Sequence, residues 1–350
     1  MGVLVSRRVW ATAVAVAAGA LAVPASVSAA VRTIYAGAPP TFAKQFAALP
    51  AAVNAFFPRT TILHAGDSVK LVTAEGYNFD IPPKGHGPLP LVTFDANHPI
   101  SATDAGGNPF WFNGTGSPGY NPVLLAPQGG PTYNGKQRVT TALPPSKPRV
   151  VKFTKVGKYT VYCDLCSGMK GSIVVVGKKA RVPSRKQHVE ALNRQVRTAL
   201  AESKKLVKSK PPKNVIEAGA SGRSGTEILA MFPKTLRVKV GTVVTARMSA
   251  RSVDVHTVTF GPDAYLAALM KSLATGKLDP VAIYPSDNPE TAQPFPVNAT
   301  AHGNGFANSG SMTNGTRDVP SSVKFRFTQP GTYKYIDLVY PGMTGTVIVK

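Results

Sequence analysis

The sequence predicts an all-β protein: two tandem Greek-key β-sandwiches joined by an amphipathic helical linker. Three observations predict it. The chain of 350 residues repeats itself, because residues 157–176, GKYTVYCDLCSGMKGSIVVV, align without a gap on residues 331–350, GTYKYIDLVYPGMTGTVIVK, at an offset of 174. FPRTTILHAGDSV from Phe57 likewise matches FPKTLRVKVGTVV from Phe232 at an offset of 175, so both blocks keep their order and spacing. Each copy alternates short apolar runs with turns, in a chain holding 32 Gly and 31 Pro, which is the texture of short strands. The one long stretch of helical periodicity lies between the copies.

Taken in order, residues 1–30 read as a secretory signal: Arg7 and Arg8, an apolar run from Val9 to Val23, and small residues ending Val27-Ser28-Ala29. The paired arginines also resemble a twin-arginine signal, so export by the general secretory route or the twin-arginine route is expected, with no membrane-spanning segment after cleavage. The first domain is expected over 31–178. Thr61 to Val72 reads as two strands around Ala65-Gly66-Asp67, and Val150 to Thr154 with Tyr159 to Tyr162 as a hairpin around Gly157. Pro82 to Pro148, rich in Gly, Pro and Asn, is too long for a simple connection and reads as loops layered over one end of the sheet. It carries His86 and His98.

The linker, 179–213, should hold a helix with Ser184 as N-cap and an apolar stripe of Val189, Leu192, Val196, Leu200 and Val207, packed on a domain or lying on a membrane surface. His188 is expected to be exposed there. The second domain, 214–350, should have strands over Phe232 to Ala246, Asp254 to Phe260 and Val323 to Val349, a short helix over Pro262 to Met270, and a loop region over Pro296 to Arg317 in which His302 has no assigned role.

Lys and Arg number 40 against 17 acidic residues, a formal charge of +23. Such a charge attracts an anionic cell-envelope surface or an acidic redox partner. Nucleic acid is not expected, since the basic residues are scattered and no binding motif accompanies them. No hydrolase elbow, zinc-protease helix or phosphate loop is present, so no catalytic activity is assigned.

Chemistry should lie in the loop that closes each copy. In the first it runs Cys163-Asp164-Leu165-Cys166-Ser167-Gly168-Met169, and the second contributes an earlier segment His256-Thr-Val258-Thr-Phe260. These resemble the metal loop and the His-x-Val-x-Phe strand of the cupredoxins, the plastocyanin and azurin family of blue copper proteins. The resemblance implies a cupredoxin-like fold and a copper-binding, electron-transfer function. Carried over residue by residue, it gives Tyr77, Cys163, Cys166 and Met169 in the first copy, and His256, Asp337, Tyr340 and Met343 in the second, where the family has His, Cys, His and Met. Neither copy keeps the whole ligand set, so the blue copper sites are incomplete. Cys163 and Cys166 read as a disulfide, the default for an exported pair, or with Met169 as a soft site suited to Cu(I) or a related thiophilic metal, or as free or redox-active thiols. His256 with Asp337 and Met343 is a weaker candidate for Cu(II) or Zn, or His256 is a hydrogen-bonded structural residue. The rival to copper handling is a metal-free binding or structural module at an anionic envelope surface.

Overall fold

The computed structural model describes residues 30–143, 146–166, 168–274, 277–316 and 319–350. The expected signal therefore lies outside the described residues, apart from Ala30. Strands form where apolar residues alternate, as in Ser322–Phe327, which buries Val323, Phe325 and Phe327 while Ser322, Lys324 and Arg326 face water.

Two pairs of sheets result. In the first pair, one sheet runs in the order Phe56–Phe57, Val31–Ala36, Ser68–Thr73, Arg149–Phe153, Thr132–Tyr133, and the other Val139–Thr140, Asp80–Ile81, Gly157–Tyr162, Lys170–Val176, Thr60–His64. The second pair repeats these orders strand for strand. Thr226–Phe232, Val215–Ser221, Val243–Met248, Ser322–Phe327 and Phe295–Val297 form one sheet; Ala307–Asn308, Thr259–Phe260, Gly331–Ile336, Thr344–Val349 and Thr235–Val238 form the other. Each pair closes on its own apolar core, around Phe79, Phe153 and Ile173 in the first and Phe260, Phe325 and Val347 in the second.

The sheets are mixed, with parallel as well as antiparallel neighbours. Val31–Ala36 runs parallel to Ser68–Thr73, and Lys170–Val176 parallel to Thr60–His64. The reason is that the chain changes sheet at its turns, so a strand often meets a neighbour running the same way. The same crossing removes the expected hairpin at Gly157, since Arg149–Phe153 pairs with Ser68–Thr73 whereas Gly157–Tyr162 pairs with Lys170–Val176 in the opposite sheet. Of Asp254 to Phe260, only Thr259–Phe260 is a strand, and His256 reaches Met312 through an isolated bridge.

The halves are interlocked. Ala51–Val53 adds itself to the edge of Thr226–Phe232, with Val53 opposite Thr226, so the first half lends a strand to the second half's sheet. The Pro82 to Pro148 region does not merely cover its own sheet: Ile100, Phe110 and Phe112 pack with Leu266, Leu269, Val281 and Phe306. The helices Asp263–Ala274 and Pro280–Ile283 supply the far side of that cluster.

The linker helix spans Arg185–Leu206, and Ser184 and Gln187 form a reciprocal capping box at its start. Leu192, Val196 and Ala199 pack on Phe46, Val53, Ala55 and Phe57. Val189 and Val207 face water, and His188 is buried where exposure was expected, because its Nε2 lies 2.9 Å from the Thr33 carbonyl. Leu192, Val196 and Leu200 of the expected stripe pack inward, but the buried face continues through His188, Ala199 and Ser203 instead of Val189 and Val207. Burial lowers the His188 pKa below its ordinary value. Among the described residues, no helix is long and apolar enough to cross a membrane.

Candidate metal centre

The two closing loops have one backbone design. In the first, the Cys163 N–H donates to the Met169 carbonyl and the Met169 N–H to the Cys166 carbonyl; in the second, Asp337 donates to Met343 and Met343 to Tyr340. The turn needs glycine in the first copy, where Gly168 has φ +92° and Val253 of the second half packs 3.4 Å from where its Cβ would stand. The tip of one loop thus rests on the other half.

Cys163, Cys166 and Met169 are all buried in the first core, and the two cysteines are unbridged. A hydrogen bond with Cys163, together with burial, pushes the Cys166 thiol well up. The Cys166 sulfur lies 3.9 Å from both Asn54 Oδ1 and the Gly76 carbonyl. Asp164 between the cysteines turns the other way, trading hydrogen bonds with Asn78 and accepting from the Leu89 N–H. Its neighbour Asp80, ion-paired to Arg138, is pushed up to about 8 by burial and by Asp164.

The Tyr77 hydroxyl donates to Asn54 Oδ1 at 3.0 Å, and Asn54 Nδ2 donates to Asp254 Oδ2 at 3.3 Å. The other Asp254 oxygen accepts from the Tyr340 hydroxyl at 2.7 Å. A buried polar chain therefore runs from the thiols of the first loop to the second. Burial, with Cys166 and Asp254 nearby, holds the Tyr77 hydroxyl well above its ordinary range, and burial with Asp254 does the same to Tyr340.

His256 is fully buried between two carboxylates, with Nδ1 2.6 Å from Asp337 Oδ2 and Nε2 3.2 Å from Glu227 Oε1. Burial opposes its charge, but Asp337 and Glu227 outweigh it and raise its pKa well above the ordinary value. Glu227 is raised by burial, against the pull of His256. Asp337 also accepts from the Thr257 and Val339 N–H groups, which fixes it behind the ring.

The structure brings Cys163, Cys166 and Met169 into one turn and joins His256 to Asp337. Met343 lies in the second core, in the turn that follows Tyr340. Sequence reasoning missed Asn54, Asp254 and Glu227. Glu227 did carry a signal, as the sole acid in the apolar strand Thr226–Phe232.

The ligand positions do not fit a blue copper centre. By the resemblance to the cupredoxin loop, Tyr77 and Cys166 stand where such a site has imidazoles, and Asp337 where it has a thiolate. Two thiols and a thioether fit a soft monovalent ion, and imidazole with carboxylates fits a harder divalent one.

No family model and no curated protein matches the chain. Among solved structures it is similar to a mutant of amicyanin in its Cu(I) form, at 17% identity over 41% of this chain and 89% of that one, with a TM-score of 0.22. It is similar to a purple cupredoxin from Nitrosopumilus maritimus at 18% identity, over 39% and 98%, with a TM-score of 0.21. A mutant plastocyanin of fern gives 19%, with 39% and 99% covered and a TM-score of 0.21.

Proposed function

We propose that this chain is an extracytoplasmic copper-binding protein of electron-transfer or copper-handling type. It is built from two tandem cupredoxin-like domains, 31–178 and 214–350, and the first holds Cu(I) through Cys163 and Cys166 with Met169 as a weak third donor. The observation that carries the reading is the pair of unbridged, buried thiols sharing one turn with a thioether. Soft donors of this kind favour Cu(I) over Cu(II) or hard cations. A bound Cu(I) would supply a one-electron redox centre, and the surrounding core would keep water from it. The formal charge of +23 supports an anionic envelope surface or an acidic redox protein as partner.

The test is Cu(I) binding by the reduced protein in competition with a chromophoric chelator. About one Cu(I) per chain is expected, lost on oxidation to the disulfide and in Cys166→Ser, weakened in Met169→Ala and unchanged in His256→Ala. Binding indifferent to Cys166→Ser would overturn the reading. A metal-free binding module at an anionic surface is the second reading, favoured by the way Tyr77, Asn54 and Asp254 already satisfy one another beside the thiols. Failure of the reduced protein to compete for Cu(I) would select it.

A further inference from the structure

The buried cluster around His256 has a composition that the thiol loop does not account for. Glu227, Asp254 and His256 each offer one ligand-type atom, and these atoms lie within 4.8 Å of one another. All three residues, with Asp337 behind the ring, are at most 5% exposed. Among the described residues, the only cationic group at ion-pair distance from Glu227, Asp254 or Asp337 is His256 itself. Glu227 and Asp337 share the one imidazole, and Asp254 stands beside them held by neutral donors, Asn54 and Tyr340, so three carboxylates share one cationic partner; buried charge persists when it is paired or coordinates a metal.

The ring is set as a ligand is set. Asp337 takes Nδ1, as a carboxylate commonly does behind a metal-bound histidine, which leaves Nε2 directed at Glu227. The 3.2 Å between Nε2 and Glu227 Oε1 is an ordinary ion-pair separation that is also compatible with two ligands of one tetrahedral ion, roughly 3.3–3.4 Å apart for bonds of ~2.0–2.1 Å. The backbone adds an independent mark. Val215–Ser221 is irregular between Ala218 and Ala220, and Gly219 there has φ +74°, so that a Cβ would stand 2.5 Å from Glu227 Oε1 and 3.2 Å from His256 Nε2. Any other residue would fill the space against these two donor atoms; glycine keeps it clear.

We propose that Glu227, Asp254 and His256 Nε2 form a second cation site, separate from the thiols, that takes a borderline divalent ion such as Zn²⁺, with Asp337 as the positioning residue. Imidazole with carboxylates suits a borderline divalent ion better than the hardest cations or Cu(I). On binding, the ion replaces the proton between Nε2 and Glu227 and offsets the surplus of negative charge.

The experiment uses the whole chain with Cys163→Ser and Cys166→Ser, so that thiols contribute nothing, refolded with Zn²⁺ and freed of excess metal. About one Zn²⁺ per chain is expected, with a higher Tm than the zinc-free protein. Co²⁺ in its place should give a weak visible spectrum without a thiolate band. Glu227→Gln and Asp254→Asn, near-isosteric changes, should each weaken Zn²⁺ binding at least tenfold. Asp337→Asn should weaken it by roughly 10–100-fold and shift the Co²⁺ spectrum, which a purely structural role would not do. A folded Cys-free chain that takes up no Zn²⁺ and shows no rise in Tm overturns the proposal, as does equal binding in Glu227→Gln. The Tm comparison needs no variant at the cluster, so the absence of a rise overturns the site even where those variants do not fold.

Discussion

Phe112→Ala tests whether the two halves behave as one cooperative body. Phe112 is fully buried, stacks on Phe110 at 5.1 Å and on Tyr284 at 4.8 Å, and so fastens the long insertion of the first half to the second. Truncating a buried Phe removes its transfer free energy and leaves a cavity, at a cost of about 3–5 kcal/mol. With a urea slope of about 3 kcal/mol/M, the midpoint should fall by roughly 1–1.7 M. Two probes report it. Trp111, whose Nε1 donates to the Pro285 carbonyl across the joint, senses docking by fluorescence, and far-UV circular dichroism senses all the strands. Both transitions should move together. A loss below about 1 kcal/mol, or a fluorescence shift while the dichroism midpoint stays put, would refute the idea that this cluster couples the halves.

Cu(II) added to the protein should produce no intense visible thiolate band; a strong band abolished by Cys163→Ser would contradict the assignment of incomplete sites. His302, at φ 48°, lies 3.2 Å from Asp104 and 3.3 Å from Asp287, and these carboxylates raise its pKa against the effect of burial. A group whose folded pKa is raised stabilises fully below its unfolded value of about 6.5 and loses that contribution as pH rises through the folded value. The urea midpoint should therefore decline above about pH 6.5, and His302→Gln should flatten this part of the profile; an unchanged slope would remove His302 from the account. Ser184→Ala removes the cap that accepts from the Gln187 N–H, which should cost about 1 kcal/mol and lower Tm by about 2–4 °C in calorimetry. No change in Tm would show that the linker helix melts apart from the rest.

Much of this architecture could be read locally. The alternation in Ser68–Thr73 or Ser322–Phe327 marks a half-buried strand, and Ser184 followed by Gln187 marks a helix start. The repeated loops at Cys163 and Asp337 announced a shared turn, and they have one. Partners were another matter. Period-two patterning states which face is buried but not which strand lies alongside, so Arg149–Phe153 and Gly157–Tyr162 looked like a hairpin when they lie in opposite sheets. His302 looked like an ordinary loop residue because Asp104 and Asp287 come from distant segments. The same holds for the site. Asn54, Glu227 and Asp254 converge only because Ala51–Val53 crosses to the second half and the irregular strand at Gly219 draws Glu227 against His256. One-dimensional spacing contains no trace of that.

The borrowed strand also sets a clock. Ala51–Val53 leaves the ribosome long before its partner Thr226–Phe232 has been made. At ~5–20 residues per second, the roughly 170 intervening residues take about 9–35 s. Through that interval Val53 and the apolar residues beside it lack the edge that will cover them, so the nascent first half carries an open strand that another chain could occupy. Slower elongation past the linker, or a high density of translating copies, should raise the yield of chains paired with a neighbour instead of with themselves.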